Sequence, residues 1–207
     1  MTVAVVDYGM GNLRSVAKAL EFVGFENVMV TASPKDVSNA DAVVFPGQGA
    51  FRKAVENLKA LGLVKPILES IEKGKPFLGI CLGLQLLFEK SHEHGLTEGL
   101  GFIKGEVRIL PPTVKIPHIG WNQIFRKREK SKLFEGIGDG DYFYFVHSYC
   151  VYPEDDSVIA STTDYGVEFV SAIEVENLWA VQFHPEKSQK KGLKILENFY
   201  RFIRSGG

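Results

Sequence analysis

The chain has 207 residues, 45% of them hydrophobic and 24% charged, with a formal net charge of −1. That length suits one domain with a core that needs no staples, and so balanced a charge points to neither nucleic acid nor an anionic membrane. Two cysteines, Cys81 and Cys150, are too few for a disulfide framework. With no basic, apolar leader at the start and no window near the roughly 18 apolar residues of a membrane span, a reducing, cytoplasmic setting is expected.

Residues 2–6 form a β-branched apolar run that stops at Asp7-Tyr8-Gly9. Asn12 is placed to cap the next helix, where Leu13, Val16, Ala17 and Leu20 recur at helical spacing until Gly24. Residues 27–33 and 41–47 read as the second and third strands, the latter stopped by Pro46-Gly47. Helical patterns follow at 51–60 and 63–73. Residues 76–80 read as a fourth strand, nearly all apolar, as suits a parallel strand covered on both faces. This alternation predicts an α/β fold with a mostly parallel, doubly wound sheet flanked by helices.

The second half is β-rich. Residues 102–110, 117–125, 142–152, 157–163, 167–175 and 178–184 are strand-like, with turn signals between them. The basic run at 126–132 reads as a solvated hairpin tip. A last helix is predicted over 188–203, with Leu193, Leu196, Phe199, Phe202 and Ile203 on its apolar face. No linker interrupts the chain, so 1–207 reads as a single domain.

Gly79-Ile80-Cys81-Leu82-Gly83 follows a strand and precedes a helical pattern, the form of a nucleophile elbow. A tight turn there lifts the thiol to the carboxyl end of the sheet, where open α/β folds bind ligands. The alternative is a small buried residue at a corner. Cys150 lacks such flanks and reads as structural. A thiolate nucleophile needs a base, and the base must be held. His92 and His94 look like a polar helix end, and His118 and His147 remain ambiguous. His184 ends a strand and precedes Pro185 and Glu186. His184 and Glu186 are two apart, so in extended chain they face one side and the carboxylate can orient the imidazole; the alternative is a strand-end histidine in a loop. Gly47-Gln48-Gly49 either exposes backbone N–H groups as half of an oxyanion hole or is a plain tight turn. Gly9-Met10-Gly11 is no dinucleotide fingerprint, because Arg14 stands where the third glycine is needed.

Taken together, "GICLGLQ", "FHPE" and the upstream "PGQG" resemble the class I, triad-type glutamine amidotransferases. Within that family, "DYGMGNLRSV", "HIGWN", "FVHSY" and "FHPEKS" are similar to the glutaminase subunits of imidazole glycerol phosphate synthases. The motifs span nearly the whole chain. The resemblance implies that Cys81 attacks the carboxamide of glutamine, that His184 moves the protons and that Glu186 orients His184. It gives the N–H groups of Gln48 and Leu82 as oxyanion donors, and Gly49, Gln85, His147, Ser148 and Tyr149 as holders of the amino-acid end of glutamine. It implies no cofactor and no metal. Ammonia would pass to a (β/α)8-barrel cyclase in a 1:1 heterodimer, which makes imidazole glycerol phosphate and an aminoimidazole carboxamide ribotide in histidine biosynthesis. Met10, Asn12, Trp121, Asn122, Tyr144 and Lys187 are the implied cyclase contacts. Gln48 departs from the family, whose members carry a small apolar residue there. Rival readings are the glutaminase subunit of another amidotransferase, a γ-glutamyl hydrolase, or a non-catalytic scaffold; an intact triad speaks against the last.

Overall fold

The structure, a computed structural model, describes residues 1–206. The first half runs β1 (Thr2–Val6), α1 (Leu13–Phe22), β2 (Asn27–Thr31), α2 (Pro34–Asn39), β3 (Ala42–Gly47), α3 (Phe51–Ala60), α4 (Val64–Glu72), β4 (Phe77–Cys81) and α5 (Leu82–Leu86). Seven strands follow: β5 (Phe88–Ser91), β6 (Thr97–Glu98), β7 (Ile103–Ile109), β8 (His118–Gln123), β9 (Phe125–Arg126), β10 (Tyr142–His147) and β11 (Tyr149–Pro153). The chain closes with β12 (Ile159–Asp164), β13 (Glu168–Val175), β14 (Leu178–Val181) and α6 (Gln189–Arg204).

Eight strands make the main sheet, in the order β2-β1-β3-β4-β14-β13-β12-β9. The first five run parallel, and β13, β12 and β9 extend the sheet antiparallel. Period-two alternation explains why these parallel strands are apolar throughout. Val3, Val5, Ala42, Val44, Leu78, Ile80, Trp179 and Val181 point to one core, with Leu20 of α1 and Phe199 of α6. Val6, Val43, Phe45, Phe77, Leu178 and Ala180 point to the other, with Leu58 of α3 and Ile67 of α4. Both faces of the sheet are therefore covered, by these helices and by strands of the β-rich half such as β10 on one side and β7 and β11 on the other.

Several boundaries differ from the sequence reading. β3 matches its expected range but for the first residue, and its Pro46 and Gly47 pair with Ile80 and Cys81. α2 has six residues and only Val37 buried, too short for a period to register; the Ser33 cap on Asp36 and Pro34 at its start mark it instead. The expected strands at 117–125 and 142–152 each divide. β8 pairs with β10 in a two-stranded ladder, whereas β9 joins the main sheet and β11 joins β7, β5 and β6. Ser148 is thus the point where the chain passes between sheets. His92 and His94 follow β5 in a turn, not a helix end, because α5 stops at Leu86. Among the described residues, no helix is long and apolar enough to cross a membrane.

Candidate active site

β4 and β14 are parallel neighbours, with Ile80 and Val181 in register. Cys81 is the next residue on the first, and His184 lies three residues beyond the second. Two motifs far apart in sequence thus meet at one rim of the sheet. Cys81 turns the corner at φ 54°, ψ −108°. A non-glycine residue there stores about 1–3 kcal/mol of backbone strain. The corner is tight: a Cβ built on Gly83 falls inside the van der Waals shell of the Phe45 carbonyl oxygen. Gly83 is what lets α5 start directly under the thiol.

His184 Nδ1 meets Glu186 Oε1 at 2.8 Å, and both side chains are 2% exposed. Nδ1 therefore carries the hydrogen, which leaves Nε2 to face the sulfur. Nε2 has no hydrogen-bond partner among the described residues. Burial pulls the His184 pKa down, but the charge on the nearby Cys81 sulfur, then Glu186, outweigh it and push the value up to about 10. The site thus favours an imidazolium facing the Cys81 sulfur.

The thiol opens onto a cavity of about 450 Å³, lined by Gln48, Gly49, Cys81, Leu82, Gln85, Glu93, Tyr144, His147, Ser148, Tyr149 and Lys187 among others. All five expected glutamine holders and both expected oxyanion residues are in that wall. Gln85 donates to the Tyr149 carbonyl at 3.0 Å and to Gln182 Oε1 at 3.1 Å. Both amide hydrogens are taken, so its remaining capacity toward a ligand is as an acceptor. His147 Nδ1 faces the Tyr149 carbonyl at 2.9 Å and must donate to it, so its Nε2 accepts from His118 Nδ1 at 3.0 Å. Burial lowers His147 to about 3 and His118 to about 4. The pair is neutral and internally satisfied: a rigid wall, not a proton carrier.

Glu93 escaped the sequence reading. One of its oxygens accepts from Phe51 N at 2.6 Å, capping α3, whose own N-cap Ala50 has no side-chain bond to give. It brings a carboxylate to the cavity wall. No sequence signal marks it, since it lies in the turn after β5. Gln182 was also missed, although a polar residue inside the apolar run Trp-Ala-Val-Gln-Phe is a visible anomaly. It is fully buried, and its Nε2 lies 3.6 Å from Cys81 Sγ.

The expected partner contacts divide. Trp121 and Tyr144 rings meet at 6.1 Å, and Lys187 Nζ lies 6.0 Å from the Tyr144 ring centre, so these three form one patch at the cavity mouth. Trp121 is 45% exposed and shares an open face of β8 with Ile119. Met10 packs against Gly49, and Gly11 brings its loop against Gly47 and Gln48. Asn12 caps α1, and Asn122 donates to the Asp164 carbonyl, so both side chains bond to their own chain. Cys150 is wholly buried, in keeping with a structural role. Among the described residues, no three His, Cys, Asp or Glu side chains gather as metal ligands.

The sequence model of the family described as Glutamine amidotransferase class-I matches residues 4–202. The imidazole glycerol phosphate synthase subunit HisH of Aquifex aeolicus is 64% identical over 201 residues, 97% of each chain. The subunit of the same name from Moorella thermoacetica is 50% identical over 205 residues, 99% of this chain and 97% of that one. Among solved structures, a chain of PurLQS from Thermotoga maritima superposes with a TM-score of 0.74 at 19% identity, covering 99% of this chain and 98% of that one. At that identity the likeness speaks for the fold alone.

Proposed function

The chain belongs to the class I glutamine amidotransferases, and from that premise we propose that it is the glutaminase subunit of an imidazole glycerol phosphate synthase. It hydrolyses glutamine to glutamate and ammonia and supplies the ammonia to a cyclase subunit. The reading rests on one observation: a strained Cys81 corner and a His184–Glu186 pair on the adjacent strand, opening together on a cavity of amino-acid size.

Glutamine enters with its ammonium toward Glu93 and the Gln85 oxygen. Its carboxylate lies toward the Ser148–Tyr149 backbone, and its carboxamide is over Cys81. The thiolate attacks the carboxamide carbon, and the negative charge that develops on oxygen meets the N–H groups of Leu82 and Gln48. The imidazolium of His184 gives its Nε2 proton to the departing nitrogen, and the C–N bond breaks to leave a thioester and ammonia. Nε2 then takes a proton from water, whose oxygen attacks the thioester. Collapse releases glutamate and returns the thiolate. Splitting a resistant amide into two acyl transfers is what a covalent nucleophile contributes, and each oxyanion donor is worth roughly 2.7–4 kcal/mol of barrier.

The cyclase docks on the mouth of this cavity in a 1:1 heterodimer, over Trp121, Tyr144 and Lys187, with Met10, Asn12 and Asn122 at the rim. The exposed apolar face around Trp121 supports this, as aromatic anchors dominate interfaces. Met10 touching Gly49 connects that rim to the oxyanion strand. The two buried free cysteines suit a cytoplasmic setting. The test is ammonia release from glutamine by the chain alone, then with cyclase and its ligand. The expected outcome is slow turnover alone and a steep rise in the complex. Equal rates in both would count against activation by the cyclase, and no turnover in either would count against the function.

A further inference from the structure

The hydrogen bonds behind the nucleophile have a fixed direction. The Tyr149 carbonyl can only accept, so the Gln85 atom facing it at 3.0 Å is the amide nitrogen. That nitrogen's second hydrogen points to Gln182 at 3.1 Å, so the Gln182 atom facing it is oxygen. The Gln182 nitrogen must then face the other way, and there it finds Cys81 Sγ at 3.6 Å. One backbone carbonyl thus sets the orientation of two buried amides and aims an N–H at the sulfur. Gln182 is locked further by its own backbone N–H, which bonds the Ser171 carbonyl at 2.9 Å.

We infer that Gln182 is a second, neutral donor to the Cys81 thiolate, alongside His184, and that Gln85 carries the state of the glutamine pocket to it. The inference deepens the glutaminase reading and rests on Cys81 as nucleophile. An amide is suited to this place. It stabilises the thiolate without a second positive charge, so the His184 proton stays free to leave with ammonia. Once the thioester forms, the sulfur loses its charge and the donor loses most of its acceptor. The bond is therefore stronger in the resting enzyme and in the returning thiolate than in the intermediate, and it favours deacylation. Gln85 lines the cavity and donates to Gln182, so a ligand that pulls on the Gln85 oxygen polarises the same chain.

The test is the pH profile of Cys81 alkylation by iodoacetamide, which reads the thiolate directly. Charged or titratable groups around the sulfur are His184 and its partner Glu186, Tyr8 beneath the corner, and Glu93, His147 and Lys187 in the cavity wall. Gln182→Met fills similar space without a donor. We expect its profile to move up by about one pH unit, so alkylation on the rising limb of the profile falls about tenfold. Gln182→Glu keeps an acceptor for Gln85 but brings a negative charge beside the sulfur, and is expected to move the profile further the same way. A merely packing role would lower the unfolding midpoint and leave both profiles unmoved, which overturns the inference. Should both variants fold poorly, the unmutated chain serves. The Gln182 side-chain amide proton should shift upfield in the NMR spectrum on alkylation of Cys81, and an unmoved resonance overturns the inference equally. Cys81→Ser is the separate check on the nucleophile. If its hydrolysis of glutamine persists, the glutaminase reading fails whatever the Gln182 variants do.

Discussion

Cys81 and His184 leave one rim of the sheet from adjacent parallel strands, whose Ile80 and Val181 are in register. Strand pairing brings the proposed nucleophile and base to the same rim, and the short segment after Val181 carries His184 the rest of the way. The Glu186 contact at 2.8 Å then fixes which imidazole nitrogen faces the sulfur.

That pairing has a pH signature. The folded chain raises His184 from 6.5 to about 10, so folding favours its protonated form. The stability this confers is complete below the unfolded value near 6.5 and disappears as pH climbs through about 10. Glu186→Gln removes two of the upward influences, so its loss sets in at lower pH. Urea midpoints from pH 6.5 to 10.5 should fall for the parent and fall earlier for the variant. Parallel curves would be evidence against a coupled pair.

Gly83→Ala should be severe. The added methyl meets the Phe45 carbonyl oxygen, a backbone atom of β3 with no room to retreat. Overpacking of this kind costs about 1–3 kcal/mol or more, and it displaces the corner that aims Cys81. Both the urea midpoint and glutamine hydrolysis are expected to drop. A variant with parental stability and rate would mean the corner is slack.

Tyr8→Phe should have the opposite sign. The Tyr8 hydroxyl is buried without a hydrogen-bond partner among the described residues, and burial, with the Cys81 charge, holds its pKa far above the ordinary phenol value. Removing an unpaired buried hydroxyl relieves a cost of about 1–3 kcal/mol. The melting temperature of Tyr8→Phe is expected to equal or exceed the parent's. A clear decrease would reveal a partner that Tyr8 gains in another state, with the adjoining Gly47 backbone the first place to look.

Trp121→Ala addresses the docking surface. An anchor at the centre of an interface contributes about 2 kcal/mol or more, so cyclase affinity should fall roughly 30-fold. Hydrolysis by the isolated chain stays as it was. Unchanged affinity by calorimetry would move the interface elsewhere.

Much of this was legible in the sequence, for physical reasons. β1, β3 and β4 are apolar throughout because both faces are covered, and Cys81 between glycines announces a strained corner. α2 was hidden because six residues hold too little of a helical period. Ser148 hid the break in 142–152 because a strand that changes partner sheet keeps its β-forming residues on both sides. Glu93 and Gln182 show the limit at the site. A carboxylate in a turn looks solvated until the fold brings it to the cavity, and the orientation of a buried amide is set by a carbonyl far away in sequence.

The most direct measurement of the central claim, that His184 activates Cys81 toward glutamine, is mass spectrometry of the chain with its cyclase after treatment with a glutamine-mimicking diazo-ketone. The account predicts one adduct on Cys81, blocked by excess glutamine and formed at least tenfold more slowly in His184→Asn. An adduct on another residue, or equal labelling of the parent and His184→Asn, would contradict it.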